Sequence, residues 1–127
     1  MTTSQFENQQ YINLETFKKN GQGIKTPVWF VLADGVLYTR TMANSWKVKR
    51  LNRNPQVRVA PCDAQGNVLG EWVNGRAYEI HDKAQAKQIN ALMNKKYSLL
   101  KRGFDLMGKI RRRQMTAVRI ELDTDKG

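Results

Sequence analysis

The sequence predicts a mainly β fold with some α: a closed or nearly closed antiparallel barrel of six short strands, a short basic helix and one longer helix. Three observations predict it. Short β-prone segments recur along the chain, bounded by turn residues. Two of those turns, Asn20-Gly21-Gln22-Gly23 and Asp34-Gly35, are of the tight kind that joins antiparallel neighbours. Only two segments carry strong helix-start signals, one at Asn44 or Ser45 and one at Asp82. Closing such a set of strands leaves few edges unpaired.

The elements follow in order. Ser4 to Gln10 is polar and reads as a short lead-in helix. In the first strand, Tyr11, Asn13, Glu15 and Phe17 alternate with Ile12, Leu14 and Thr16. The second strand spans Ile24 to Ala33. Pro27 within it lacks an N–H, which assigns that position to an edge, a bulge or a strand start. Val36 to Thr41 is the third strand. The basic helix follows and ends before Pro55, because the residue preceding a proline avoids the helical region. Gln56 to Pro61 is the fourth strand, and Asp63 to Asn67 a turn. Val68 to Ile80 is the fifth strand, broken by Gly70 and Gly75. Asp82 caps a helix over Lys83 to Leu100, with Ala86, Ile89, Leu92 or Met93, and Tyr97 at helical spacing and Gly103 as its stop. Phe104 to Arg113 reads as a second short helix or an irregular arm, and Thr116 to Leu122 as the last strand. The order is β-β-β-α-β-β-α-β.

The chain has 127 residues, the size of one domain over residues 1–127. Lys and Arg number 22 against 11 acidic residues, a net charge of +11. That excess favours an anionic partner: nucleic acid, an anionic membrane surface or a phosphorylated small molecule. The single cysteine, Cys62, excludes an intrachain disulfide and fits a reducing cytoplasm. No apolar run approaches a membrane span and the first residues lack a secretory core, so the expectation is a cytoplasmic protein.

The charge is concentrated. Arg40, Lys47, Lys49, Arg50, Arg53 and Arg58 occur with no acidic residue between Arg40 and Arg58. A basic helix wedged between two strands is a natural seat for a phosphate, since helix N-termini attract anions and Lys and Arg add full charges. A second basic stretch, Lys95 to Arg113, is opposed only by Asp105. There is no CxxC, HExxH or GxGxxG, and no Ser-His-Asp or metal-ligating cluster.

Thr26-Pro27-Val28-Trp29, Leu37-Tyr38-Thr39-Arg40-Thr41 and the stretch from Lys47 through Pro55 to Val57 resemble the split β-barrel flavin- and deazaflavin-binding family related to pyridoxamine 5′-phosphate oxidase. Val59 to Gly66 brings the chain nearest to the coenzyme F-420-dependent branch. The resemblance covers Tyr11 to Tyr78 well and the remainder mainly in element order. It implies a six-stranded antiparallel split barrel (an FMN-binding split barrel) that forms a homodimer with cofactor sites at the interface. It places the cofactor phosphate by Arg40, Thr41, Ser45, Lys47 and Lys49. The flavin ring would run along Pro27, Val28 and Trp29 with Thr39. The implied cofactor is F-420 or FMN, and the implied activity is hydride transfer to a small organic substrate by an oxidoreductase. The anionic polyglutamate tail of a deazaflavin would suit the basic excess and the run Arg111-Arg112-Arg113.

Blander readings stand beside these. His81 reads as a surface or capping residue, Cys62 as a buried filler, and Tyr38, Tyr78 and Trp72 as packing residues. Trp29 touches the site or the core, and Trp46 the site or the barrel wall. Arg111 to Arg113 reads equally as a solvated charge run. A flavin or tetrapyrrole binder without turnover is the alternative to an enzyme. A nucleic-acid-binding barrel is disfavoured, because no strand shows the clustered aromatics that stack bases.

Overall fold

The computed structural model describes residues 4–97 and 115–123. A short 3-10 turn, Ser4–Phe6, leads into β1 (Tyr11–Phe17), β2 (Gly23–Ala33), β3 (Val36–Met42), α1 (Trp46–Arg53), β4 (Gln56–Cys62), β5 (Val73–Ile80), α2 (Lys83–Lys96) and β6 (Met115–Leu122). The strands close an antiparallel barrel in the order β1-β2-β3-β6-β5-β4. The expected element order and fold class are both found.

Turn chemistry sets the first hairpins. Asp34 and Gly35 both have positive φ, 53° and 77°, the backbone that a two-residue hairpin with right-handed twist requires. The barrel interior is filled by Ile12, Leu14, Phe30, Leu37, Val57, Val59, Ala77, Val118 and Ile120, with Phe6 and Leu51 sealing its ends. A second cluster lies outside the barrel, where Ile89, Met93 and Tyr97 of α2 pack on Val31 and Ala117. Burying a large apolar side chain of this kind stabilises by roughly 1.5–3 kcal/mol.

Two expectations need correcting, the start of the fifth strand and the end of the long helix. In β1, Asn13 and Glu15 are buried, as are Ile12, Leu14 and Thr16 between and beside them. Glu15 is covered by its ion pair with Arg58, 3.0 Å. Its carboxylate also occupies the space a Cβ at position 23 would take, which the glycine there leaves free. The fifth strand begins at Val73, not Val68. Residues 68–72 are committed elsewhere: Leu69 N–H donates to Pro61 O, and Gln5 exchanges two hydrogen bonds with the Glu71 backbone. Val68 retains only an isolated bridge to Cys62. The long helix ends at Lys96, with Tyr97 as its C-cap. The expected continuation to Leu100, the stop at Gly103, the arm Phe104 to Arg113 and the Arg111–Arg113 run lie outside the described residues.

The strand that positions the site is β2. Its first part, Gly23 to Trp29, pairs with β1. Its last part, Phe30 to Ala33, pairs with β3. Among the described residues each part is therefore paired on one side only, and the exchange of partners occurs between Trp29 and Phe30.

Candidate functional site

The exchange of partners opens a fork. Beyond Thr39, β3 continues as Arg40, Thr41 and Met42 against β6 rather than β2. The β3-facing edge of Gly23 to Trp29 is thus left open, with the end of β3 diverging beside it. Pro27 lies in this part, opposite Asn13 of β1. A proline there costs no ladder bond on the open side, which accounts for its place inside a strand. At the root of the fork Thr39 Oγ1 donates to the Trp29 carbonyl at 2.6 Å, supplying a donor where the ladder stops.

A cavity of about 310 Å³ lies at the fork, lined by Val28, Trp29, Arg40, Met93 and Met115. Its walls are apolar but for the Arg40 guanidinium, which is half-buried there, and desolvation lowers its pKa. Trp29 is held rigidly: its ring stacks on Tyr97 at 4.3 Å and 3°. The Tyr97 hydroxyl plugs the place where β1 pairing ends. It accepts from Phe30 N–H at 2.9 Å and lies 2.6 Å from the Phe30 carbonyl and 2.7 Å from that of Gln10. Nearby, the buried Oδ1 of Asn13 lacks a partner among the described residues, while its Nδ2 donates to Gly66 O at 3.0 Å.

β3 passes into α1 through a tight turn in which Ser45 N–H donates to Met42 O at 3.0 Å. Ser45 is the N-cap: its Oγ accepts from Val48 N–H at 3.3 Å. The alternative cap, Asn44, is not used. Val48 and Leu51 face the barrel, and the basic residues divide among the remaining directions. Lys47 is half-buried, its pKa lowered by desolvation and then by the neighbouring Arg50 charge. Lys49 is exposed, its ammonium 4.6 Å from the Trp46 ring centre. Positions two apart on a helix do not share a face, so Lys47 and Lys49 are not brought together. Arg53 Nη2 donates to Phe17 O at 2.9 Å and Arg50 reaches Thr16 at 3.5 Å, so both tie α1 to β1.

The remaining candidates separate clearly. Pro27, Val28, Trp29, Thr39, Arg40 and Thr41 belong to the fork, and Ser45, Lys47 and Lys49 to the helix that leaves it. Trp46 is 69% exposed and does not pack on the barrel wall. Trp72 lies beneath Lys25 and Arg58, 5.2 and 4.8 Å from its ring. His81 is exposed and 3.9 Å from Glu79. Cys62 is buried, and desolvation pushes its thiol up to about 11, so it is inert as a nucleophile. Sequence reasoning placed Tyr97 in the helix but missed it as the backing of Trp29, and missed Met93 and Met115 as cleft walls. The helical spacing of Met93 and Tyr97 was the available signal. No group of three metal-ligating side chains occurs among the described residues, and no helix there is long and apolar enough to cross a membrane.

No curated protein matches the chain. Solved structures do. An FAD-binding protein from Mesorhizobium loti is 23% identical, with 97% of this chain and 86% of that one covered, at a TM-score of 0.64. An F420 reductase is 13% identical, with 96% and 93% covered, at 0.62. HutZ, the heme storage protein of Vibrio cholerae, is 12% identical, with 94% and 85% covered, at 0.70. These likenesses are of fold. The model of the pyridoxamine 5′-phosphate oxidase family matches residues 3–123, nearly the full length of the 127, and with its fork between β2 and β3 the chain belongs to that family.

Proposed function

We propose that the chain is an oxidoreductase that holds a flavin-type cofactor, FMN or coenzyme F-420, in the fork between β2 and β3. The observation that carries this is the open edge of Gly23 to Trp29 beside the half-buried Arg40. A flat ring with an anionic tail fits such a place. The open backbone edge offers hydrogen-bonding groups to a heterocycle, Val28, Trp29, Met93 and Met115 give it apolar contact, and a desolvated guanidinium interacts strongly with phosphate. When bound, the cofactor supplies the hydride chemistry. The chain's part is positional. Pro27 to Trp29 and Thr39 orient the ring. Arg40, Thr41 and Ser45 with Lys47 hold the phosphate, and Lys49 adds charge at the exposed end. The stack of Trp29 on Tyr97 fixes one wall and excludes water.

The cleft lies at the small end of ligand sites, about 300–1,000 Å³. Met42 and Met115, paired across β3 and β6, and Trp46 are exposed apolar residues near it. We read them as the seat of a second copy that completes the site in a homodimer. The acceptor is a small organic molecule.

The test is titration with FMN and, in parallel, with F-420, followed by tryptophan quenching, with sedimentation for the dimer. Saturable binding of one at roughly micromolar affinity or tighter, about −8 kcal/mol, supports the reading and chooses the cofactor. Failure of both to bind overturns it. A second reading, a binder without turnover, is favoured by one feature: Arg40 is the only ionisable group among the described residues lining the cleft, so general acid–base help is scarce. It predicts tight binding with no acceleration of the bound cofactor's reoxidation by any organic acceptor.

A further inference from the structure

The side of α1 turned away from the barrel carries charge that the cleft does not use. Lys47, Arg50 and Arg53 follow one another at the i, i+3 spacing that makes neighbours on a helix. The row then passes onto the β1–β2 turn. Arg50 Nη1 reaches Thr16 Oγ1 at 3.5 Å and Arg53 Nη2 donates to Phe17 O at 2.9 Å. The next two residues are Lys18 and Lys19, both exposed. Backbone bonds close this turn, Lys18 N–H to Gln22 O and Gly21 N–H to Lys18 O, both 2.9 Å. Among the described residues none of these five cations is in an ion pair. Glu15, on the same strand, is paired with Arg58, and Glu79 meets α1 on another side, through Asn52.

We propose that this surface, Lys47, Arg50 and Arg53 of α1 with Lys18 and Lys19, binds the phosphate backbone of a DNA duplex without reading its sequence. Three features support it. First, like charges gathered without counter-ions repel one another, and a polyanion relieves that repulsion while releasing its own condensed counterions. Second, the dimensions agree. The row on α1 is about 9 Å long, at 1.5 Å per residue, and each strand of a duplex presents a phosphate about every 3.4 Å of its axis. The row therefore spans about three phosphates, and the turn extends it. Third, the guanidiniums keep donors to offer, since each has five and spends one on β1.

The aromatic content of the surface selects the partner. Trp46 is the one aromatic residue of α1, and Lys49 lies over its ring at 4.6 Å. A single ring does not provide the successive stacking that holds single strands, nor the apolar face that seats a helix in lipid. The lack of clustered aromatics counts against base stacking, not against contact with a backbone.

The experiment titrates the protein into a labelled DNA duplex and reads fluorescence anisotropy between about 50 and 200 mM salt. The expected result is saturable binding, at about 10⁻⁵ M or tighter in the lowest salt, with a log–log salt slope of about −3.6, that of four phosphates neutralised on B-DNA. Lys18→Gln combined with Lys19→Gln should make the slope shallower by about 1.8. Neither residue belongs to the cofactor cleft, and neither side chain holds a hydrogen bond among the described residues. Lys83→Gln combined with Lys87→Gln, exposed on α2, should leave the slope unchanged, and a single strand of the same length should bind more weakly. Equal effects of the two double variants would overturn the proposal. Loss of binding in Lys47→Ala with the Lys18 and Lys19 variant unaffected would do so too, by assigning the duplex to the cofactor's phosphate seat. Tighter binding of the single strand, or binding to phosphatidylserine vesicles but not to the duplex, would overturn it as well.

Discussion

The two open edges of β2 are built differently. On the β1 side, Phe30 is stopped by side chains: Tyr97 takes its N–H, and its carbonyl faces both the Tyr97 hydroxyl and the Lys96 ammonium. On the β3 side, Gly23 to Trp29 has Thr39 closing only the root of the fork, and beyond it the edge faces a cleft with one half-buried guanidinium. An exposed strand edge is a hazard that proteins normally cover. Covering one edge with a helix and leaving the other beside a cation separates support from recognition within one strand. The comparison also shows why α2 matters to the cleft, although only Met93 lines it. The same Tyr97 that plugs one edge stacks on Trp29, the wall of the other.

Both edges depend on the interior that holds the barrel closed, and the largest expected effect lies there. Ile12 is fully buried in the main core. Ile12→Ala should cost about 2–5 kcal/mol of stability, read by urea denaturation. Cofactor affinity per folded molecule should be unchanged. If affinity fell while the fold remained fully populated, the division between support and recognition would be wrong.

The next effect should fall on the cleft edge alone. Lys47→Ala should weaken cofactor binding by about 1.5–3 kcal/mol, the range for a hydrogen bond to a charged group. Its melting temperature should stay near that of the parent, since Lys47 forms no ion pair among the described residues. Calorimetric titration measures the first and thermal denaturation the second. An unchanged affinity would place the phosphate elsewhere.

How much of this was legible in the sequence depends on whether the cause was local. The hairpin at Asp34-Gly35, the stop before Pro55 and the cap at Asp82 are written in one or two residues, and each is found as read. The fork was only half legible. Pro27 announced an edge, a bulge or a strand start, but which of these it is, and which side is open, depends on where β3 leaves β2, a long-range matter. The start of the fifth strand was misread because Leu69 and Glu71 spend their backbone bonds on Pro61 and Gln5, distant partners that no local pattern shows. The burial of Glu15 was hidden for the same reason, since Arg58 and Gly23 come from other strands. At the site, charge composition singled out α1 as a whole. Only the geometry distinguishes Lys47 from Lys49, and both from Arg53, which is occupied with Phe17.

Tyr97→Phe tests the plugged edge. It keeps the ring that stacks on Trp29 and removes the hydroxyl that serves Phe30 and Gln10. Leaving those buried backbone groups short of a partner should cost about 1–3 kcal/mol in stability. Cofactor affinity should change far less, because the cleft wall is intact. Denaturation and fluorescence titration of the same sample separate the two. An affinity loss matching that of Lys47→Ala would mean that the two edges act as one unit.

The smallest effect sharpens the comparison at a residue with two assigned roles. Ser45 caps α1 and is also a candidate for the phosphate. Its Oγ already accepts from Val48 N–H, but a hydroxyl has a second lone pair and a proton to offer. Ser45→Ala should therefore cost about 1 kcal/mol of stability through the lost cap. If Ser45 also donates to the phosphate, affinity should fall as well. Ser45→Asp separates the roles, since aspartate is as good a cap but repels a phosphate. Recovered stability with affinity below that of Ser45→Ala would place the anion at the start of α1. Affinity equal in the two variants would leave Ser45 as a cap only, with Arg40 and Lys47 as the remaining phosphate candidates on this side of the fork.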